Sequence, residues 1–94
     1  MTSRFVKDTE AVLDYVFDWS SWLDTGETIS SYTMTVPTGI TEGTGSYATS
    51  QASGRVTVWL SSGVAGTEYA VECKIVTSAG RTDERTMLIY CAEL

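Results

Sequence analysis

Histidine and asparagine are absent from this chain of 94 residues, which has a single proline and only two cysteines. Without histidine, the chain lacks the commonest general base and the commonest transition-metal ligand of proteins. Two cysteines are too few for a four-thiolate zinc site, and without asparagine no N-glycosylation acceptor exists. We therefore expect no catalytic residues, no metal site, no cofactor and no enzymatic activity.

Long apolar runs are also missing. No stretch approaches the roughly 20 apolar residues that span a bilayer. The first ten residues, "MTSRFVKDTE", place no apolar run after their basic residues and so do not resemble a signal peptide. The formal net charge is −6, and a strongly acidic domain repels nucleic-acid backbones and anionic membrane surfaces. We expect a soluble protein made in a cytosol, with no nucleic-acid and no membrane partner.

The composition is that of a globular protein, with 43% hydrophobic and 19% charged residues. The length predicts a single domain, residues 1–94, with one modest core. Apolar and polar residues alternate with a period of two, whereas helical spacing is hard to find. The segment "KDTEAVLDYV" has a potential helix cap at Thr9, but the alternation that follows argues against more than a helical turn.

The alternating segments are separated by turns rich in glycine, serine and threonine, such as "DTGET" and "PTGITEGTG". Short strands at this spacing predict an all-β fold, an immunoglobulin- or fibronectin-III-like β-sandwich of about seven short antiparallel strands. A small barrel is the alternative. The predicted strands cover residues 4–7, 11–19, 30–37, 45–51, 54–61, 68–78 and 85–92.

A tyrosine near the start of a long predicted strand supports the sandwich. In "GTEYAVECKI", Tyr69 follows Gly66 by three positions. This suits a tyrosine corner, in which the ring packs in the core and the hydroxyl bonds an upstream backbone group. Cys73 follows Tyr69 by four positions rather than two, and no earlier cysteine exists to form an inter-sheet bridge. The pattern therefore favours a fibronectin-III or bacterial Ig-like domain over an antibody domain.

Both cysteines fall on inward faces of the last two predicted strands, which pair as a hairpin across "SAGRTDE". One register places Cys73 opposite Cys91, with a loop from Gly80 to Glu84, and a shift by two residues places Cys73 opposite Ile89. Both registers bury the same faces, so the pattern does not choose between them. We expect two small buried thiols, as is usual in a reducing cytosol. We expect no thiol catalysis, since no histidine or basic neighbour is available to activate either cysteine.

Four carboxylates, those of Asp14, Asp18, Asp24 and Glu27, lie close together in the sequence. They lack the regular oxygen spacing and the sharp glycine turn of an EF-hand calcium loop. On a strand, Asp14 and Asp18 are roughly 13 Å apart, which is too far for them to act together on one glycosidic bond. We therefore expect a solvated face.

Three aromatic residues are candidates for an interface. We expect Trp19 to continue the buried face of its strand, whereas Trp22 follows the end of that strand. Trp59 lies opposite the apolar face of its strand, and Tyr90, with Leu88, lies on the outward side of the last strand. Because tryptophan is enriched at interface hot spots, Trp59, Leu88 and Tyr90 predict a second, partly covered surface. Burial at a curled sheet edge is the alternative, and stacking on a sugar is a further one.

The most charged segment is "SAGRTDERTM", residues 78–87. Its charges lie in a predicted hairpin loop, where Gly80 can take a positive φ. Exposed charges of this kind pair weakly, at about 0–1 kcal/mol each. Alternatively, an arginine fork at the tip grips a carboxylate of a neighbouring protein. In that case, replacing Arg81 and Arg85 with alanine should leave the melting temperature of the isolated domain almost unchanged. The candidate protein-interface residues are Trp22, Trp59, Arg81, Asp83, Glu84, Arg85 and Tyr90.

Two segments carry a recognisable motif, "FVKDTEAVLDYVFDWSSWLDTGETISSYTMTVPTGIT" and "GTEYAVECKIVTSAGRTDERTMLI". They resemble small structural proteins of tailed bacteriophages. Those proteins typically carry K-D-P-x-A-x-L-D-Y-x-x-D-W-x-x-W-L, then G-D-T-I, and end in Y-x-V-x-x-x-I-x-T-x-x-G-R-x-D-E-R. The matching residues are Lys7, Asp8, Ala11, Leu13, Asp14, Tyr15, Asp18, Trp19, Trp22, Leu23, Gly26, Thr28, Ile29, Tyr69, Val71, Ile75, Thr77, Gly80, Arg81, Asp83, Glu84 and Arg85.

The resemblance is weakest through "EGTGSYATSQ", and it departs at Thr9, where proline is usual, and at Glu27, where aspartate is usual. It implies a non-enzymatic, Ig-like structural component of a phage virion, made in the host bacterial cytoplasm. Its partners are then other phage structural proteins, with multiple copies per particle. The place in the particle stays open among the capsid surface, as a decoration or cement protein, the neck between head and tail, and the tail. A free-standing Ig-like binding module, for instance for a glycan, is the alternative.

Overall fold

The computed structural model describes residues 2–94, and Met1, where the predicted domain begins, lies outside this range. Strands make up 59% of the chain and helix 3%, which confirms the all-β prediction. No helix of the described residues is long and apolar enough to cross a membrane. The strands are β1 (Thr2–Asp8), β2 (Leu13–Asp18), β3 (Ile29–Thr35), β4 (Ile40–Glu42), β5 (Ser50–Ala52), β6 (Arg55–Ser62), β7 (Glu68–Thr77) and β8 (Thr82–Ala92), with a 3₁₀ helix at Gly45–Tyr47.

The strands form two sheets. One has the order β1-β8-β7-β3, and the other has β2 on one side of β6 and both β4 and β5 on the opposite side. The first and last strands, β1 and β8, run parallel, whereas the other described pairs are antiparallel. The prediction of antiparallel strands is therefore wrong for β1, because no local turn joins it to β8 and sets its direction.

Alternation along the strands decides where the core lies. In β6, Val56, Val58 and Leu60 are buried while the residues between them are partly exposed, and β7 buries every second residue from Tyr69 onward. Residues of both sheets belong to one apolar core, and Trp19 is fully buried in it, as predicted. Each fully buried large apolar side chain stabilises the fold by roughly 1.5–3 kcal/mol, so this shared core holds the two sheets together.

The β7–β8 hairpin has a register that neither predicted alternative contains. Cys73 lies opposite Arg85, and not opposite Cys91 or Ile89. The reason is that β8 already begins at Thr82, so that only residues 78–81 form the turn. Both cysteines are free and buried, as expected. Burial raises the pKa of the Cys73 thiol to about 11, so this thiol is protonated at neutral pH.

Three local features differ from the sequence pattern. β4 is too short to show an alternation, and the pattern does not predict it. The predicted strand over 45–51 is divided between the 3₁₀ helix and β5. Leu13, expected on the buried face of β2, is exposed at the start of that strand, whereas Tyr15 and Phe17 are buried. Strand ends and short edges are the places where periodicity carries least information.

A buried lysine attaches β1 to the second sheet. Lys7 lies opposite Cys91 on the inward side of β1 and is fully buried. Its ammonium donates hydrogen bonds to the backbone oxygens of Asp8, at 2.9 Å, and of Ser62, at 2.7 Å. A buried charge is tolerated only with such partners. Because Ser62 ends β6, this side chain connects the two sheets.

Tyr69 forms the predicted tyrosine corner. Its side chain is buried, and the backbone N–H of Val64 donates a hydrogen bond to the phenolic oxygen at 2.9 Å. The neighbouring Gly63 has a φ of +107°, and a Cβ at this position would overlap the Sγ of Cys91. The corner therefore depends on glycine at position 63.

We expect Gly63→Ala to destabilise the protein more than Gly66→Ala. Gly66 lies in the same connection with a φ of +85°, but a Cβ there meets nothing within 4 Å. The control substitution costs about 1–2 kcal/mol for the left-handed backbone. At Gly63 the overlap adds about 1–3 kcal/mol. Urea unfolding of both variants measures the difference, and equal losses would show that Cys91 does not restrict this position.

Candidate protein-interface site

The guanidinium of Arg81, in the turn between β7 and β8, is directed at this chain's own residues. It forms a forked ion pair with Glu27, in which Nε lies 2.9 Å from Oε2 and Nη2 contacts Oε1. Nη2 also donates to the backbone oxygen of Trp22 at 3.2 Å. The guanidinium carbon lies 4.0 Å from the centroid of the Trp22 ring. The predicted arginine fork therefore exists, but the carboxylate that it grips belongs to the same chain.

Glu27 receives hydrogen bonds from three residues, and its side chain is only 4% exposed. Besides Arg81, the hydroxyl of Thr77 donates to Oε2 at 2.5 Å and the backbone N–H of Asp24 donates to Oε1 at 2.9 Å. The hydrogen bonds from Arg81, and next those from Thr77 and Asp24, lower the pKa of Glu27 to about 2. The expectation of a solvated carboxylate is wrong for Glu27, because Thr77 and Arg81 lie 50 and 54 positions away in sequence.

Arg85 makes a similar contact with Trp19. Its guanidinium carbon lies 4.1 Å from the centroid of the Trp19 ring, and Nη1 donates to the backbone oxygen of Asp18 at 2.8 Å. The rings of Trp19 and Trp22 meet edge to face, with centroids 5.5 Å apart. Cation–π contacts of this kind contribute about 0.5–2 kcal/mol each.

We name Trp19, Trp22, Glu27, Arg81 and Arg85 the arginine–tryptophan cluster. Its arginines belong to the β7–β8 hairpin of one sheet, and both tryptophans follow β2 of the other sheet. The cluster therefore joins the two sheets to each other at one end of the domain. Loss of Arg81 and Arg85 is therefore expected to lower the stability and not to leave it unchanged, because both partly exposed side chains pack on tryptophan rings of the same chain.

The other charged candidates lie in a strand and not at a loop tip. Asp83 lies opposite Ile75, and Glu84 lies opposite Lys74, in the register of β7 and β8. The predicted loop is too long because β8 begins at Thr82. Glu84 is exposed, so it remains available at the surface.

Trp59 and Tyr90 lie on the outer faces of different sheets. Each alternates with buried residues of its strand, Trp59 in β6 and Tyr90 in β8. The prediction of one surface containing both is wrong, because the outer faces of two sheets that share a core point away from each other. The ring of Tyr47 contacts Trp59 at a centroid distance of 4.8 Å and partly covers it. Tyr90 stays 41% exposed, with Val6 opposite it on β1.

The remaining acidic residues near the cluster are at the surface. Asp18 forms a salt bridge with Arg55 at 3.3 Å, and hydrogen bonds from Ser20 lower the pKa of Asp18. Asp24 is 81% exposed, and its carboxylate lies 3.9 Å from Nη2 of Arg81. Within residues 2–94, no group of three or more His, Cys, Asp or Glu side chains is placed to hold a metal ion.

Two residues with clear structural roles, Lys7 and Glu27, are not among the predicted interface residues. Lys7 matches the phage-like motif, and Glu27 occupies a motif position at which aspartate is usual. The motif could have identified Glu27, because its partner Arg81 and the neighbouring Trp22 are motif residues. It could not have identified the role of Lys7, whose partner on the other sheet, Ser62, lies outside the motif.

We expect Glu27→Gln to lower the melting temperature by several degrees and Asp24→Asn to change it little. Glutamine keeps the shape of the side chain but removes the charge that pairs with Arg81, whereas Asp24 is a solvent-exposed neighbour of the same arginine. Thermal unfolding of both variants at pH 7 measures the difference. Equal losses would contradict a special role for Glu27.

The low pKa of Glu27 predicts a defined pH dependence. Its pKa is about 2 in the folded protein, against an ordinary value of 4.5. Because the folded-state value is the lower one, the stabilisation is complete above pH 4.5 and is lost as the pH falls toward 2. The difference between the melting temperatures of the wild type and Glu27→Gln should therefore be constant above about pH 5.5 and should shrink as the pH falls toward about 2.

A control for this titration is built into the comparison. Asp8 and Asp18, whose pKa values are also lowered, are present in both proteins, so their effects cancel in the difference. Melting curves at half-unit pH steps measure the convergence. A difference that stays the same down to pH 2 would refute the assignment.

The chain matches a known protein family. A family model described as "Podophage GP4 fiber-tail adaptor protein gp77" matches residues 7–90. The matched range contains the whole arginine–tryptophan cluster, the whole second motif segment and all but the first two residues of the first one. No curated protein matches the chain. Because the family model covers most of its length, this chain belongs to the podophage GP4 fiber-tail adaptor protein gp77 family and is a structural component of a bacteriophage virion.

Proposed function

We propose that this chain is a non-enzymatic adaptor of the phage tail, which binds other virion proteins in multiple copies per particle. The family match over residues 7–90 carries the proposal, since its description names a fiber-tail adaptor. By this analogy, the partners are a tail fibre protein and a second protein of the tail. No nucleic acid or membrane takes part in the proposed role.

The strand order supports a single immunoglobulin-like domain as the adaptor body. Seven-stranded immunoglobulin-type sandwiches place the second and fifth strands in one sheet and the third, sixth and seventh in the other. If the short β4 and β5 are counted together as the fourth strand, β6, β7 and β8 are the fifth, sixth and seventh. In this count β2 and β6 pair in one sheet, and β3, β7 and β8 are neighbours in the other, as in those sandwiches. The tyrosine corner at the start of β7 is a further feature of such domains.

Two side chains that could take part in chemistry, those of Glu27 and Cys73, are held within the fold, which supports a binding role. Glu27, the carboxylate with the most lowered pKa, is held by Arg81 within the fold. The thiol of Cys73 is buried and protonated. Side chains used in this way stabilise a rigid body, and what such a body offers a partner is its shape and its exposed apolar residues.

The place of the chain in the virus particle distinguishes the proposed tail adaptor from a capsid decoration protein and from a neck protein. Capsid decoration and a place at the neck also fit a structural virion protein, but the family description favours the tail. We therefore assign the chain to the junction of tail and fibre.

Gold labelling of intact particles tests this position. A tag appended after Leu94, which is exposed, leaves the two sheets undisturbed. We expect gold at the tail, close to the fibres, in electron micrographs of particles that carry the tagged chain, and none on particles with the untagged chain. Label on the capsid surface or at the neck would refute the proposal, as would the absence of the chain from purified particles by mass spectrometry.

A further inference from the structure

The outer edge of β1 is an open strand edge. β1 pairs with β8 on one side, and no described strand pairs with its other side. Natural proteins usually protect such edges with charged side chains, with inward-pointing charges, with proline or with a very short strand. β1 carries an exposed Arg4 and an inward-pointing Lys7, but it is seven residues long and has no proline. This edge is therefore only partly protected and can still pair with another strand.

The outer face next to this edge is apolar. Val6 is 59% exposed and lies opposite Tyr90, and Leu88 is the neighbouring outward residue of β8. Apolar residues and the charged Arg4 and Glu68 together line a depression of about 270 Å³ beside this edge, formed by Arg4, Phe5, Val6, Glu68 and Tyr90. We name Arg4, Val6, Leu88 and Tyr90 the β1 face.

The opposite edge of the same sheet is different. β3 exposes mainly hydroxyl side chains, namely those of Ser30, Ser31, Thr33 and Thr35. Its one large exposed aromatic residue, Tyr32, donates its hydroxyl to the backbone oxygen of Thr49 at 3.1 Å. Within this sheet, exposed apolar side chains beside an open edge are found at β1 and not at β3, so β3 provides an internal control.

Charge shows what kind of partner fits the β1 face. Arg4 is exposed and forms no salt bridge with the residues that the structure describes. A second copy of the chain is a poor match, because each copy carries a net charge of −6. Two β1 strands joined around a two-fold axis at Val6 would set Arg4 against Asp8, so a second copy is the competing occupant that the crosslinking test must exclude.

We propose, resting on the tail-adaptor function above, that β1 receives an extended strand from a different virion protein. The incoming strand adds to the open edge through backbone hydrogen bonds. It places an acidic residue opposite Arg4 and an apolar residue opposite Val6, which share one face two positions apart. The partner segment is therefore recognised by an acidic and an apolar residue separated by one position.

Photo-crosslinking in assembled particles tests which protein covers this edge. One variant carries p-benzoylphenylalanine in place of Val6, and the control carries it in place of Thr33 on β3. We expect the first variant to form an adduct with an extended segment of a different virion protein, mapped by mass spectrometry, and the control to form none with that segment. An adduct to another copy of this chain, no adduct, or equal yields at both positions would overturn the proposal.

Charge reversal tests the predicted acidic partner. In co-infection with the wild-type gene, we expect Arg4→Glu to be incorporated about tenfold less into particles, because the partner's carboxylate then faces a like charge. Lys74→Glu makes the same charge change on the same outer face, away from β1, and should be incorporated normally. Melting temperatures near the wild-type value for both variants exclude misfolding as the cause. Equal incorporation of the two variants would refute the role of Arg4.

The outcomes separate this inference from the function on which it rests. Gold label away from the tail refutes the tail-adaptor function itself. Gold label at the tail, together with no adduct from position 6, leaves the function standing and refutes only the role of the β1 face.

Discussion

The ion pair between Glu27 and Arg81 is the interaction on which one end of this structure depends. It fixes the turn between β7 and β8 against the segment after β2, and thereby positions Arg81 on Trp22. A forked arginine–carboxylate pair of this kind is directional as well as attractive. Because the Glu27 side chain is almost fully covered, removing Arg81 leaves this carboxylate without its counter-charge in a poorly solvated place.

Much of the fold was predictable because side-chain alternation depends only on neighbouring residues. The inward faces of β6, β7 and β8 and the buried Trp19 follow from a period of two. The register of β7 and β8 was not predictable in the same way, because shifts by two residues bury the same faces. The parallel direction of β1 also escaped, since its partner β8 lies at the other end of the chain.

The candidate site shows the same limit. Sequence indicated that Arg81 could form a fork, which is a property of one side chain. It did not indicate that the carboxylate is Glu27, because that contact joins residues 54 positions apart. Tyr90 and Trp59 were correctly expected on outward sides of their strands, but only the pairing of strands into two sheets separates them. The β1 face, where Val6 and Tyr90 are exposed, is the surface that we propose a partner covers.

The attachment of β1 has a mechanical consequence. In the proposed adaptor role, a fibre that moves in solution pulls on the strand that connects it to the particle. If the pull acts along β1, its hydrogen bonds to the parallel β8 and the two bonds of the Lys7 ammonium are loaded in shear, all at once. A pull across the strand would open the same bonds one after another, at a much lower force. The buried ammonium of Lys7, bound to the end of β6, places the second sheet under the same load, so the domain resists as one body.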